Sequence, residues 1–325
     1  MKERGPHETS GSSALRRYTQ LVAGCTFLLL LVGGMVTSTG SGLAVPDWPL
    51  SFGQWMPPME GGVLYEHGHR MAASLVGLLI VIQAVWLWRR ERRAWVRRLG
   101  WLALGGVVLQ GLLGGLTVLL RLPDAVSIGH AALAELVFGL TVAIASVCSR
   151  GWHERVERHV DADEPALVTL TWIITGAIFL QILLGAIVRH TGAGMAIPTF
   201  PLAYGELIPP LDSRPVALHF AHRVGAVVVG VLIAWLVRRT WHSHRPDRWI
   251  LRPALLLAGL VVLQIGLGGW VIWSYKAAWV TTAHLGVGAL MWGSALALGL
   301  RAGRGLTLAP PLSAVSGDLV VQEIR

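Results

Sequence analysis

Residues 29–53 read LLLVGGMVTSTGSGLAVPDWPLSFG, and residues 181–205 read QILLGAIVRHTGAGMAIPTFPLAYG. These two stretches align without a gap. Further matches are HGHRMAASLVG at 67–77 with HFAHRVGAVVVG at 219–230 (one residue slipped), LQGLLGGLTV at 109–118 with LQIGLGGWVI at 263–272, and His130 with His284. The offset between matched residues drifts only from 152 to 154. The sequence therefore predicts two equivalent halves joined in tandem.

The composition is that of a polytopic membrane protein. Of the 325 residues, 54% are hydrophobic and only 14% are charged, whereas soluble domains carry about 25% charged residues. Eight apolar runs are long enough to cross a bilayer as helices, and they lie at about 18–38, 68–88, 99–120, 125–148, 167–188, 219–237, 253–273 and 278–300. We predict an all-α polytopic membrane protein whose eight transmembrane helices form two tandem, pseudo-symmetric four-helix bundles.

The basic residues predict the orientation of the chain. If the N-terminus is cytoplasmic, 21 of the 27 Lys and Arg residues fall in cytoplasmic segments, and the long outer loop 39–66 has none. Positive charge gathers on the cytoplasmic side, so we expect both termini there, and the net charge of +9 does not indicate nucleic-acid binding. The predicted units are a tail at 1–17, the first bundle at 18–149, a linker at 150–166, the second bundle at 167–300 and a tail at 301–325.

Four histidines form two duplicated pairs near the outer ends of helices. His69 and His130 are predicted within about a turn of the outer starts of helices 2 and 4, and His222 and His284 at the matching starts of helices 6 and 8. Two neutral imidazoles from facing helices suit axial ligation of haem iron in a bundle core. Zinc would need two further ligands, and a hydrogen-bonded packing role is the alternative for any single histidine.

Charged residues accompany these histidines. Arg70 and Arg223 directly follow two of them and could pair with haem propionates or extend to lipid phosphate. Glu66 lies one helical turn before His69, on the same helix face, while its counterpart in the second half is His219. This asymmetry suggests that one pocket transfers electrons and the other performs chemistry that needs a carboxylate; a helix-cap role for Glu66 is the alternative.

Small residues and stiff loops complete the pattern. The pairs Gly33-Gly34, Gly114-Gly115, Gly185-Ala186 and Gly268-Gly269 recur in the outer third of four helices. They indicate close helix packing or clearance for a large flat ligand. Tryptophan and proline residues in the two outer loops, 39–66 and 190–217, are typical of amphipathic lids over the pockets.

These residues resemble the haem A synthase family of bacterial cytoplasmic and mitochondrial inner membranes. The resemblance covers residues 17 to 300 and rests on six features: Glu66-x-x-His69-Arg70, His130, His222-Arg223, His284, the T-G-[SA]-G-[LM] turns at 39–43 and 191–195, and Pro46-Asp47-Trp48-Pro49. It implies oxidation of the C8 methyl group of haem O to the formyl group of haem A, by successive hydroxylations, for terminal oxidases.

The resemblance also implies roles for the residues. His69 and His130 would hold the iron of the substrate haem O, His222 and His284 that of a prosthetic haem b, and Glu66 would be the catalytic carboxylate. Implied partners are haem O synthase, the terminal oxidase assembly machinery, membrane lipid and an electron donor of unknown identity, with a homo-oligomer as a further option, in the bacterial cytoplasmic membrane.

Two other functional classes remain open at this stage. One is a non-catalytic di-haem b cytochrome that takes electrons from quinol, and the other is a haem carrier or assembly factor. Some family members carry a cysteine pair in each outer loop, but here the two cysteines, Cys25 and Cys148, lie in apolar runs. A thiol relay in the loops is therefore not available to this chain.

Overall fold

The computed structural model describes residues 10–153, 159–161, 165–243 and 248–308. Its eight long helices are α1 (Ser10–Ser38), α2 (Gly61–Arg90), α3 (Ala94–Leu119), α4 (Asp124–Val147), α5 (Leu167–His190), α6 (Arg214–Ser243), α7 (Arg248–Trp273) and α8 (Ala278–Gly305). Each of the eight contains a stretch long and apolar enough to cross a membrane. The prediction of an all-α chain with eight membrane-spanning helices is confirmed.

Several helices begin earlier than their apolar runs. α2 begins at Gly61 and α6 at Arg214, so the outer loops are residues 39–60 and 191–213 rather than 39–66 and 190–217. His69 and His222 lie eight residues after these starts, which is more than two turns. The prediction that the histidines lie within about one turn of a helix start is therefore wrong, because charged residues and histidines lower the hydropathy of the first three turns of these helices.

The segments between and after the two groups of helices contain a small additional structure. A four-residue helix, Arg150–His153, follows α4, and strand β1 (His159–Asp161) pairs in parallel with strand β2 (Leu306–Leu308). These strands lie in the segments predicted as a linker and a tail. They are the one departure from the all-α prediction in the described part of the chain.

The pattern of neighbouring helices is the same in both halves. In the first half α1 packs against α2 and α4, and α3 packs against α2 and α4; in the second half α5, α6, α7 and α8 repeat these four pairings. The halves meet where α8 contacts α1 and α4, and where α4 contacts α5. Each half thus forms a closed ring of four helices.

The contact between the halves depends on a glycine. The indole of Trp292 in α8 occupies the space that a Cβ atom at Gly139 in α4 would need. Phe138, next to this glycine, is buried in the core of the second half and lies 6.0 Å from the ring of Phe27 in α1. Aromatic side chains therefore fill the seam between the two rings of helices.

Candidate functional site

Each of the four predicted ligand histidines packs against a glycine of the neighbouring helix. A Cβ atom added at the glycine would lie 3.0 to 3.3 Å from Cε1 of the imidazole, for the pairs Gly33–His69, Gly114–His130, Gly185–His222 and Gly268–His284. These distances are shorter than ordinary van der Waals contacts. The first residue of each small-residue pair therefore gives room to an imidazole ring.

The second residue of the pair has a different neighbour. Added Cβ atoms at Gly115 and Gly269 would lie 2.6 and 2.8 Å from the rings of Trp48 and Phe200, which belong to the two outer loops. At Gly34 the nearest atoms are side chains of α8. The glycine pairs thus serve close packing of rings and helices, as the first of the two sequence interpretations proposes.

His222 and His284 face each other across the second half. Their ring centroids are 6.4 Å apart and their planes are inclined by 71°. Imidazole nitrogens bind a metal at about 2.0–2.1 Å, as in zinc sites, and the ring centroid lies about 1 Å further away, so two imidazoles on one metal have centroids roughly 6 Å apart. The observed spacing fits one metal atom between the two rings.

His69 and His130 form the corresponding pair of the first half. Nδ1 of each ring is buried without a hydrogen-bond partner in the described part of the chain. Nδ1 of His284 is in the same state. Buried polar atoms without a partner are costly, so the donor set of both halves fits ligands to a bound iron.

Zinc is less suited to these pairs. Among the described residues, no group of three or more His, Cys, Asp or Glu side chains could hold a metal ion. A structural zinc site takes four protein ligands and a catalytic one takes three. Two imidazoles per site are instead what axial ligation of haem requires.

Glu66 is buried and doubly bound at the junction of α2 and the first outer loop. Its Oε1 atom is 2.6 Å from Nη2 of Arg70, and its Oε2 atom accepts a hydrogen bond of 2.8 Å from the backbone N–H of Val45. The side chain is only 4% exposed. Glu66 is the sixth residue of α2 and its partners are not the free N–H groups of the helix start, so the helix-cap alternative is wrong.

His219 occupies the position of Glu66 in the second half. Its Nδ1 atom accepts a hydrogen bond of 3.2 Å from the backbone N–H of Ile197, which is the counterpart of Val45 in the aligned sequences. The two halves therefore make the same contact between loop and helix with different chemistry. A carboxylate is present in one half and an imidazole in the other.

Arg70 and Arg223 hold the outer loops by their backbone carbonyls. Nη1 of Arg70 donates to the carbonyl oxygens of Asp47 and Leu50 at 2.7 and 3.0 Å. Nη2 of Arg223 donates to those of Ile197 and Thr199 at 3.0 and 2.7 Å. The two roles considered from the sequence, a pair with a haem propionate and contact with lipid phosphate, do not include this one. Nη1 of Arg223 is buried without a hydrogen-bond partner in the described chain, so it can still donate to an acceptor.

A side chain within each loop binds the following turn. The carboxylate of Asp47 accepts hydrogen bonds from the N–H groups of Gly53 and Phe52 at 2.8 and 2.7 Å, and these bonds lower the pKa of Asp47. The hydroxyl of Thr199, the matching residue, accepts one from Tyr204 at 2.8 Å. Both loops are thus held in a fixed fold, and their aromatic residues Trp48 and Phe200 pack on Gly115 and Gly269.

Three glutamines contact the histidines and were not identified from the sequence. Nε2 of Gln110 lies 3.0 Å from the backbone oxygen of His130 and 3.3 Å from its Nε2, and Nε2 of Gln181 lies 2.7 Å from the backbone oxygen of His222 and 3.0 Å from its Nδ1. Gln264 lies 3.5 Å from Nε2 of His284. The signal was present, since Gln110 and Gln264 occupy matching places in the two LQ segments.

Arg189 is a fourth residue that sequence reasoning did not single out. From the last turn of α5, its Nη2 atom donates to the backbone oxygen of Gly34 and to Oγ of Ser38 in α1, both at 2.7 Å. The cation thus crosses from the second half to the first. It fixes the outer end of α1 beside the glycine that packs on His69.

The family of the chain follows from comparison with known sequences. The profile of a family described as "Cytochrome oxidase assembly protein" matches residues 60–296, a range that includes Glu66 and all four histidines. A "Heme A synthase" of Symbiobacterium thermophilum is 35% identical over 288 residues, which are 86% of this chain and 92% of the relative. The chain belongs to the haem A synthase family.

Other members of this family are similarly related over most of their length. The "Heme A synthase" of Methylobacterium sp. is 30% identical over 331 residues, covering 87% of this chain and 91% of the relative. That of Shouchella clausii is 28% identical over 268 residues, covering 81% and 88%. Eight apolar helices and bacterial relatives identify this haem A synthase family member as a multi-pass bacterial membrane protein.

Proposed function

We propose that the protein oxidises the C8 methyl group of haem O to the formyl group of haem A, by successive hydroxylations, for the maturation of terminal oxidases. The observation that carries the proposal is a matching contact between loop and helix that has unequal chemistry in the two halves. Val45 and Ile197 donate the same backbone hydrogen bond, but to Glu66 in one half and to His219 in the other. One pocket alone then has a carboxylate for proton handling.

The second half is the proposed site of a prosthetic haem b. His222 and His284 would be its axial ligands, which the 6.4 Å spacing of their rings supports. When bound, this haem supplies a one-electron carrier inside the membrane. Arg223 has one buried nitrogen without a partner in the described chain, which gives a propionate carboxylate a donor.

The first half is the proposed site of the substrate. His69 and His130 would hold the iron of haem O, and Glu66 would be the catalytic residue. Hydroxylation of a C–H bond moves protons whichever molecule supplies the oxygen atom: with water it releases two protons and two electrons, and with dioxygen it consumes two of each. A positioned carboxylate can take up or deliver these protons. Val45 and Arg70 fix the two oxygens of Glu66, and Arg70 also binds the first outer loop at this end of α2.

The orientation and the tandem arrangement are parts of the same proposal. The covering loops, 39–60 and 191–213, would lie outside the cytoplasmic membrane and both termini inside it, since 21 of 27 basic residues then face the cytoplasm. The repeated neighbour pattern of the helices and the repeated loop contacts support a duplicated four-helix unit, with bundles at 18–149 and 167–300. Haem O synthase and the oxidase assembly machinery are the proposed partners.

The test is pigment analysis of the protein produced with a source of haem O. The unaltered protein should yield haem A together with haem b. His69→Ala and His130→Ala should abolish haem A and keep haem b, whereas His222→Ala and His284→Ala should remove haem b, because a metal site loses most of its affinity with a missing ligand. If the unaltered protein forms no haem A despite a reductant and oxygen, the di-haem cytochrome is the better account.

A further inference from the structure

Gln181 holds His222 at two atoms. Its Nε2 atom donates to the backbone oxygen of His222 at 2.7 Å and lies 3.0 Å from the ring Nδ1. Gln181 precedes Gly185 by one helical turn, so both residues are on the face of α5 that meets this imidazole. One glycine gives the ring its space, and one amide restrains it.

Gly225 makes room for the glutamine. A Cβ atom added at Gly225 would overlap Oε1 of Gln181. Gly225 lies three residues after His222, and no side chain other than hydrogen leaves the Gln181 amide where it is. Gln181 and Gly225 are therefore a matched pair across the α5–α6 contact.

The first half lacks both members of this pair. In the aligned repeat, Gln181 corresponds to Leu29, and Gly225 corresponds to Ala72, which lies three residues after His69. A leucine cannot form a hydrogen bond with an imidazole, and His69, unlike His222, has no side-chain amide at its Nδ1 atom in the part of the chain described here. The ring packs on Gly33, but no amide restrains it.

The other three histidines all contact a glutamine. Gln110 contacts His130, and Gln264 contacts His284, so the second half restrains both of its imidazoles and the first half only one. The Gln181 amide binds the backbone oxygen of His222 and packs against the Nδ1 edge of its ring, which leaves Nε2 as the nitrogen for a metal. Loss of a neighbour that orients a ligating histidine commonly costs 10–100-fold in metal affinity. Among the four candidate ligand histidines, His69 is thus the one without a glutamine beside its ring in the described part of the chain.

We propose that Gln181 and Gly225 are positioning residues that make the second pocket retain its haem, whereas Leu29 and Ala72 leave His69 free to release the haem of the first pocket. This inference rests on the proposed function, in which one haem is prosthetic and the other must leave as product. A site that releases its haem in every catalytic cycle needs an axial ligand that dissociates readily from the iron. Retention of one haem and release of the other would thus depend on the two positions at which Gln181 and Gly225 replace Leu29 and Ala72.

The experiment measures how fast haem leaves the purified full-length protein when an excess of apomyoglobin is present as acceptor. Gln181→Leu and Gly225→Ala approach the same contact from opposite sides, and each should speed the loss of haem b by about tenfold or more. The electron paramagnetic resonance signal of the low-spin haem should also shift, because the plane of His222 is no longer fixed. The double variant Leu29→Gln with Ala72→Gly should slow the release of haem from the first pocket by a similar factor.

Gln83→Leu is the matched control. Gln83 is a fully buried glutamine of α2 whose side chain has no hydrogen-bond partner in the described chain, and it lies fourteen residues from His69, about 21 Å along the helix. Its replacement should leave both release rates unchanged. Helix content by circular dichroism shows that each variant is folded.

One result would contradict the retention role of Gln181 and Gly225, and a different one would contradict the assignment of His222 as a haem ligand. If His222→Ala strips the haem but Gln181→Leu and Gly225→Ala release it at the unaltered rate, the retention role is wrong and the ligand assignment stands. If His222→Ala keeps its haem b with an unchanged low-spin spectrum, the ligand assignment itself is wrong and the inference falls with it.

Discussion

Glu66 and Arg70 form a salt bridge of 2.6 Å one helical turn apart, at the point where the first outer loop meets α2. The guanidinium of Arg70 also binds three backbone carbonyl groups of that loop, and the second carboxylate oxygen of Glu66 takes a loop N–H. The pair therefore serves two purposes. It anchors the first outer loop to α2, and it holds the Glu66 carboxylate in a fixed place.

Replacement of Arg70 should open the first loop. Arg70→Lys keeps the charge but loses the planar fork that reaches several acceptors, and Arg70→Ala leaves the Glu66 carboxylate buried without its counter-charge, which costs about 3–5 kcal/mol for a buried pair. Both variants should be cleaved by added protease within residues 45–53, in the order Ala faster than Lys. Arg223→Ala is the control, since it should expose the second loop and leave the first one resistant.

Gly115 should tolerate no side chain, because its Cα faces the indole of Trp48. A Cβ atom there would lie 2.6 Å from the ring, so Gly115→Ala should displace the loop and lower stability by about 1–3 kcal/mol, the usual cost of overpacking. Gly111→Ala is matched to it, in the same helix and one turn away, with nothing within 4 Å of an added Cβ. Thermal unfolding in detergent compares the two; equal midpoints would contradict the packing of Trp48 on Gly115.

Thiol labelling in intact cells tests the orientation. The side chains of Trp55 and Leu207 are 84% and 83% exposed in the two loops, so cysteines introduced there should react with a membrane-impermeant reagent added outside. A cysteine at Arg92, in the exposed connection between α2 and α3, should react only after the membrane is opened. The reverse pattern would show that the loops face the cytoplasm.

The eight helices and the difference between Glu66 and His219 could be predicted from the sequence. Eight apolar runs and a long internal repeat are strong signals, and the alignment alone paired Glu66 with His219, whose contacts with the loops turn out to match. Hydropathy could not show that α2 begins at Gly61, because Glu66, His67 and Arg70 lower the hydropathy of the first three turns.

Side-chain partners were beyond the reach of sequence patterns. Arg70 and Arg223 follow their histidines and suggested an anionic ligand, yet the acceptors they find are loop carbonyl groups, which every residue has and no pattern marks. Gln181 was quoted within the repeat, but its contact with His222 depends on the space at Gly225, which only the packed helices reveal. Such contacts depend on tertiary packing rather than on local spacing.

The most direct test of the central claim is the pigment content of Glu66→Gln, produced together with a source of haem O and extracted for chromatography. Glutamine can still accept the Val45 N–H bond but cannot take up a proton as a carboxylate does, and loss of a general acid or base costs roughly a hundredfold or more. We predict that Glu66→Gln keeps its fold and its haem b spectrum, accumulates haem O and forms little or no haem A, while His219→Gln has a smaller effect. Normal haem A production by Glu66→Gln would contradict the catalytic role of this carboxylate.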